Sequence, residues 1–372
     1  MMPPNRAPPP DNDPQALVRT VRKGRGAATN PAGRFEAQER EAADDGWGGF
    51  DEALPTIATT VAVDVARSII SRNDSPDIPF DQSINPYRGC EHGCVYCYAR
   101  PSHGFLGLSA GLDFETRLFA KPDAAALLRA ELRAPDYQPN VIALGTNTDP
   151  YQPIERDHRV TRSVLEVLAE CDHPVTIVTK SARIERDIDL LAPMAEKNLI
   201  RVFLSVTTLD RELARRLEPR ASAPARRLEA IRRLRAAGVP VGVMAAPVIP
   251  VLTDAELETI LVVARDAGAT SAGYVLLRLP YEIKDLFKQW LRVHAPLSAE
   301  HVMARVHELR GGKDNDARFG TRMRGQGIYA ELIRKRFQLA CRRLGLTYRD
   351  RLPLDTTRFR PPRAPGDQLD FF

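Results

Sequence analysis

Cysteine is scarce in this chain and unevenly placed. Five occur in 372 residues, and three of them, Cys90, Cys94 and Cys97, fall within eight positions. No second CxxC pair exists, and Cys171 and Cys341 stand apart. This pattern argues against a disulfide framework. Long apolar runs are also missing: no stretch approaches the roughly 18–20 residues of a membrane helix. The opening "MMPPNRAPPPDNDPQ" lacks the apolar core of a signal peptide. These absences predict a cytoplasmic protein with no membrane partner. In a reducing compartment a crowded cysteine trio more often binds metal.

The rest of the composition is ordinary for a globular chain, at 43% apolar and 27% charged residues. Proline is plentiful, at 30 residues, much of it near the two ends. Net charge is a modest +5, but residues 301–360 carry fifteen Lys and Arg against six Asp and Glu. Such a local excess suits a nucleic-acid phosphate backbone as partner.

Residues 1–50 are rich in Pro, Gly, Ala and charge and predict a largely disordered segment. Within them "RKGRGAATNPAGRFE" (22–36) is basic and punctuated by glycine. Residues 51–79 read as a connection with a short strand near "TIATTVAVDVA". From 80 to 294 short β-rich runs alternate with helical ones. Strands are expected at 83–88, 141–146, 175–180, 200–206, 241–247 and 272–278. Helices are expected near 122–134, 158–172, 183–198, 223–237, 253–267 and 282–294. Thr253 with Glu256 has the form of a capping box. Apolar strands alternating with helices predict a parallel sheet, either doubly wound or an incomplete (β/α) barrel. Such folds place their sites at the C-terminal strand ends. Thr146 to Asp149, Lys180, Ser205, Ala246 and Arg278 lie there. Residues 295–358 form a basic helical extension, and 359–372 a Pro-rich flexible tail.

Three thiolates on one loop can hold three corners of a cubane cluster, leaving the fourth iron for another ligand. A Cys3His zinc site completed by His92 or His103 is the competing structural reading. The spacing CxxxCxxC in "GCEHGCVYC" (89–97), with Tyr96 before the last cysteine and βα units following, resembles the radical S-adenosylmethionine (SAM) superfamily. The resemblance implies a [4Fe–4S] cluster on Cys90, Cys94 and Cys97 in a partial (β/α)6 barrel of the TIM type. SAM would chelate the open iron and be cleaved reductively to a 5′-deoxyadenosyl radical.

"GCEHGCVYCYARPSHGFLGLSAGLDFETRLFAK" (89–121), "GTNTDPYQPIE" (145–155), "VTKS" (178–181) and "MAAPVIP" (244–250) narrow the likeness. They resemble the bacterial group related to spore photoproduct lyase, and residues 22–36 resemble the N-terminal signature of one of its subgroups. Carried over by motif, Thr148, Lys180, Ser205 and Ala246 match residues that contact SAM. Tyr98 matches a tyrosine of a hydrogen-atom relay, and Tyr96 reads as cover for the cluster. One departure stands out. Where the lyase has a hydrogen-donating cysteine, this chain has Thr146, a far poorer hydrogen-atom donor. The likeness therefore implies radical chemistry without assigning the thymine-dimer reaction.

"QLDFF" (368–372) resembles the short peptides that dock on the bacterial DNA polymerase sliding clamp. The resulting expectation is a radical SAM enzyme for DNA repair or modification, with a flavodoxin or ferredoxin as electron donor. Modification of a protein, peptide or small molecule is one alternative. A non-catalytic, metal-stabilised DNA-binding adaptor is the other.

Overall fold

A computed structural model describes residues 21–35, 57–348 and 353–363. Ten strands are present among them: β1 Thr60–Val63, β2 Ile70–Arg72, β3 Gln82–Ile84, β4 Tyr87–Arg88, β5 Arg117–Ala120, β6 Ile142–Leu144, β7 Val175–Thr179, β8 Ile200–Ser205, β9 Val241–Val248 and β10 Ser271–Leu276. The helices of seven or more residues are α1 Ala124–Leu132, α2 Val160–Glu170, α3 Ile188–Glu196, α4 Arg211–Leu217, α5 Pro224–Ala236, α6 Leu257–Asp266, α7 Ile283–His294, α8 Ala299–Leu309 and α9 Gly327–Leu344. These nine are α-helices; shorter α-turns and the 3-10 helices, of which the seven-residue Arg100–Leu106 is the longest among the described residues, carry no number.

The main sheet runs β10-β9-β8-β7-β6-β3-β2. Six of its strands are parallel, and β2 is the antiparallel edge. This is the expected α/β partial barrel. Its strands read as near-continuous apolar runs because both faces are covered. Val175, Ile177, Ile200, Val202, Leu204, Val241 and Val243 are all fully buried.

The first expected strand splits. Pro86 has no N–H for a ladder, and the chain turns there, so "SI" stays in β3 while "YR" joins the small sheet β1-β5-β4. Asn85 fixes the turn: its Oδ1 accepts from the backbone N–H groups of Asn147 at 3.0 Å and Thr148 at 3.4 Å. The capping box at Thr253 does not form. Glu256 instead accepts from Thr208 Oγ1 at 2.6 Å and the Leu209 N–H at 2.6 Å. Thr253 Oγ1 accepts from the Ile249 N–H at 2.9 Å. A tertiary partner has displaced the local cap.

The C-terminal extension continues the barrel. Ala272 N–H donates to the Thr347 carbonyl at 2.9 Å, and Leu276 N–H to that of Met323 at 3.0 Å. The loop before α9 then reaches the turn between β2 and β3. There Asp77 receives the Gly320 N–H at 2.7 Å and Arg322 Nε at 2.5 Å. One loop thus ties the β10 edge to the far edge of the open sheet.

Arg336 is not a free basic residue. It chelates Glu258 at 2.6 and 2.7 Å and fastens α9 to α6. The start of the tail is also held. Phe359 packs its ring on His173 at 5.2 Å and Tyr137 at 5.5 Å, and Arg133 donates to the carbonyls of Pro362 and Arg363. Gln368–Phe372 lies outside the described residues. Among the described residues no helix is long and apolar enough to cross a membrane.

Candidate functional site

The cysteine loop leaves β4 and is shaped by a buried arginine. Arg100 is inaccessible to solvent and donates to the carbonyls of Cys94 at 2.8 Å, Gly93 at 3.1 Å, Ala110 at 3.1 Å and Gly111 at 2.9 Å. Its charge meets Glu115 at 2.5 Å. A planar guanidinium with five donors can satisfy this many acceptors where an ammonium cannot. Glu115 also accepts the N–H groups of Gly26 at 2.9 Å and Ala27 at 2.8 Å. The N-terminal segment 21–35, expected to lie in a largely disordered region, is therefore packed across the loop. Its backbone comes so close that a Cβ at Gly26 would overlap the Gly93 carbonyl oxygen. Asn30 exchanges two hydrogen bonds with Asp113, at 2.8 and 3.0 Å. Gln152 braces the other side, donating to the Gly89 carbonyl at 3.2 Å and accepting from the Glu91 N–H at 2.8 Å.

Cys90 and Cys94 are buried and Cys97 is half-buried, and none is bridged. Burial pushes all three thiols up; the Lys180 cation opposes this at Cys94 and Cys97, and Arg100 at Cys97. Among the described residues no three His, Cys, Asp or Glu side chains converge on one ion. A cubane is held at separate corners, so its three thiolates do not need to meet at a point. Three unbridged sulfurs on a rigid loop, with two cations nearby to favour their ionised form, fit such a cluster.

The strand ends bring three predicted residues into one chain. Lys180, just beyond β7, donates from Nζ to Ser205 Oγ at 3.0 Å. Ser205, the last residue of β8, donates to the Ala246 carbonyl at 2.9 Å. Tyr96 joins them, with Lys180 Nζ 5.8 Å from its ring centre. The Tyr96 hydroxyl donates to Glu218, which is paired with Arg227. Both members of that pair are almost wholly buried. Thr207 Oγ1 lies 2.6 Å from Glu218 and 3.0 Å from the Ala246 carbonyl, and Arg227 donates to the Ser205 carbonyl at 2.8 Å. Despite burial, Arg227 and then Lys180 hold the Glu218 carboxyl down at about 2. The sequence reading missed Arg100, Glu115, Glu218 and Arg227, which shape the site from behind.

Thr148 and Tyr98 stand apart from that chain. Thr148 is buried, and its hydroxyl donates to the Tyr87 carbonyl at 3.1 Å. Tyr98 is 48% exposed, and its hydroxyl donates to the main-chain carbonyl of Thr146. The guanidinium of Arg278, just beyond β10, lies 5.4 Å from the Tyr98 ring centre. Tyr98 therefore links the ends of β6 and β10 across the mouth of the barrel.

Comparison with known proteins bears on the family and the fold. Residues 84–263 match the radical SAM superfamily. Uncharacterized protein Rv2578c of Mycobacterium tuberculosis is 39% identical over 227 residues, covering 60% of this chain and 67% of the relative. Uncharacterized protein MJ0683 of Methanocaldococcus jannaschii is 28% identical over 178 residues, 46% of this chain and 62% of the relative. Among solved structures, spore photoproduct lyase complexed with dinucleoside spore photoproduct superposes with a TM-score of 0.54 at 16% identity. That alignment covers 77% of this chain and 81% of the lyase. A lyase mutant with bound SAM and the same dinucleoside also gives 0.54. At this identity the likeness establishes the fold. The superfamily match spans the cysteine loop and the strand ends facing it, and on that basis the chain belongs to the radical SAM superfamily, as an enzyme whose cofactors are a [4Fe–4S] cluster and SAM.

Proposed function

We propose that Cys90, Cys94 and Cys97 hold the cluster and that the enzyme acts on nucleic acid, in repair or modification of DNA. When bound, the cluster and SAM supply a 5′-deoxyadenosyl radical by reductive cleavage of the sulfonium. The remaining tasks fall to the chain. Lys180 offers its cation to the SAM carboxylate. Ser205 orients Lys180, Thr148 and the Ala246 main chain line the cofactor, and Tyr96 covers the sulfurs. Tyr98 relays a hydrogen atom at the mouth.

The observation that carries this reading is the position of Tyr98. It lies one residue beyond Cys97 and is half-exposed between Thr146 and Arg278. A relay residue open to solvent at the mouth suits a substrate too large to be enclosed. A structure of like fold complexed with a dinucleoside adds support, as does the basic surplus of residues 301–360. Docking of Gln368–Phe372 on a sliding clamp would bring the enzyme to DNA, and a flavodoxin or ferredoxin would supply the electron.

The test is anaerobic reconstitution to about four iron and four sulfide per chain, followed by reduction with dithionite in the presence of SAM and deuterium-labelled, ultraviolet-damaged DNA. Deuterium appearing in 5′-deoxyadenosine supports the proposal. Release of 5′-deoxyadenosine that neither carries label nor responds to DNA would sink the nucleic-acid substrate.

A further inference from the structure

Most arginines around the barrel mouth have an identified partner. Arg322 is held by Asp77, Arg227 by Glu218, and Arg100 by Glu115. Arg310 also has a buried Nε without a partner and no carboxylate, but its two Nη groups are spent on four main-chain carbonyls, those of Leu276, Leu277, Thr321 and Arg322. Arg278 differs. No carboxylate among the described residues bonds it. Its Nε is buried with no hydrogen-bond partner. Its Nη1 has only the thioether of Met323, at 3.5 Å. A partly buried cation left in this state is costly, because desolvation is not offset by hydrogen bonds to an anion. Burial, and then the neighbouring Arg322, also lower its pKa. Asp77, whose charge acts on Arg278, is already engaged by Arg322 and the Gly320 N–H.

The position explains what such a group is for. Arg278 follows β10 at the C-terminal edge of the sheet and faces the ring of Tyr98. It is separated along the sheet from Lys180, which follows β7 and is turned towards Ser205. The two cations thus stand at different parts of the mouth, one beside the sulfurs and one beside the relay tyrosine.

We propose that Arg278 binds an anionic group of the substrate, the phosphodiester next to the nucleotide presented to Tyr98. This rests on the nucleic-acid reading above and adds a residue that selects phosphorylated substrates. A phosphate would satisfy the orphaned Nε and one Nη together, in the bidentate geometry guanidinium favours.

The experiment measures binding of the full-length reconstituted protein to a fluorescent DNA oligonucleotide, single- and double-stranded, across a salt series. Arg278→Met and Arg278→Lys are compared with the unaltered chain. Iron content and SAM affinity are measured on each. Loss of one phosphate contact predicts about tenfold weaker DNA binding for Arg278→Met and a salt slope smaller by about one. Arg278→Lys should recover part of the affinity and the full slope. SAM affinity and iron content should not change. DNA affinity and slope unchanged in Arg278→Met would overturn the assignment while leaving the nucleic-acid reading intact. Weakened SAM binding with unaltered DNA binding would also overturn it, by placing Arg278 at the cofactor. If the unaltered chain shows no salt-dependent DNA binding, the nucleic-acid reading fails and this assignment falls with it.

Discussion

The hydroxyl of Tyr98 ends on the main-chain carbonyl of Thr146, not on its side chain. The contact does not depend on the side chain at 146, whose hydroxyl donates instead to Asn85 Oδ1 at 3.4 Å, so that side chain can be exchanged to test its chemistry. We expect Tyr98→Phe to keep its iron and still release 5′-deoxyadenosine, while product formation falls at least about tenfold. Thr146→Cys places a thiol donor there and should raise the share of product carrying solvent-derived hydrogen above that supplied by the exchangeable Tyr98 hydroxyl. Mass spectrometry of reactions run in deuterated water reads both. Equal product labelling in the two forms would show that residue 146 donates nothing.

The pair Arg100–Glu115 and the Gly26 approach should act as one unit. Removing one partner of a buried ion pair typically costs about 3–5 kcal/mol. Glu115→Gln and Arg100→Met are thus expected to lower the denaturation midpoint and the iron content together. Gly26→Ala should lower iron content more than stability, because it displaces the Gly93 carbonyl without stripping a buried charge. Chemical denaturation and iron assay on the same preparations check this. Full iron loading of Gly26→Ala would contradict the close packing.

Lys180 Nζ donates to Ser205 Oγ at 3.0 Å. If the cation is reserved for SAM, Lys180→Met should raise the SAM dissociation constant about 10- to 100-fold. Ser205→Ala should raise it less, since the ammonium survives. Ser205→Ala should leave the reduced cluster's electron paramagnetic resonance signal in the absence of SAM unchanged, whereas Lys180→Met, which also removes a cation beside Cys94 and Cys97, is read by SAM titration. Unaltered SAM affinity in Lys180→Met would overturn its role at the cofactor.

His173 gives a pH dependence far from the cluster. It is fully buried, with Nδ1 3.0 Å from the Pro174 carbonyl and Nε2 2.7 Å from the Tyr137 hydroxyl. Burial holds its pKa down at about 4, against about 6.5 in an unfolded chain. The unfolded state therefore takes up the proton first as pH falls. Stability due to the neutral ring is complete above about pH 6.5 and is lost as pH drops towards 4. The expected loss between pH 7.5 and 5 is about 2 kcal/mol. His173→Gln should flatten that slope in urea titrations at the two pH values. An unchanged slope would assign the acid sensitivity to other groups.

The parallel sheet and the cysteine loop were legible because both are written locally. The β-rich runs carry their own burial pattern, and CxxxCxxC is a spacing within eight residues. Lys180, Ser205 and Ala246 could be read because strand ends in parallel folds face one place. What was not legible lay in pairs distant in sequence. Nothing near Glu115 announces Gly26 and Ala27 as its donors, some ninety residues away. The S/T-x-x-E pattern at Thr253 was a sound local signal, yet the backbone after β8 claimed Glu256. Arg336 reads as part of a basic run, and only the packing of α9 on α6 reveals its carboxylate. Pro86 was the exception, a visible strand breaker inside the first expected strand.

The superfamily match begins at residue 84, but part of the loop's shape is specified at residues 25–31. An expression clone trimmed to the matched region would keep Cys90, Cys94 and Cys97 and lose the backbone that holds their loop from outside. The unit that shapes the cysteine loop is therefore discontinuous in sequence, and during synthesis it can close only after Glu115 has left the ribosome.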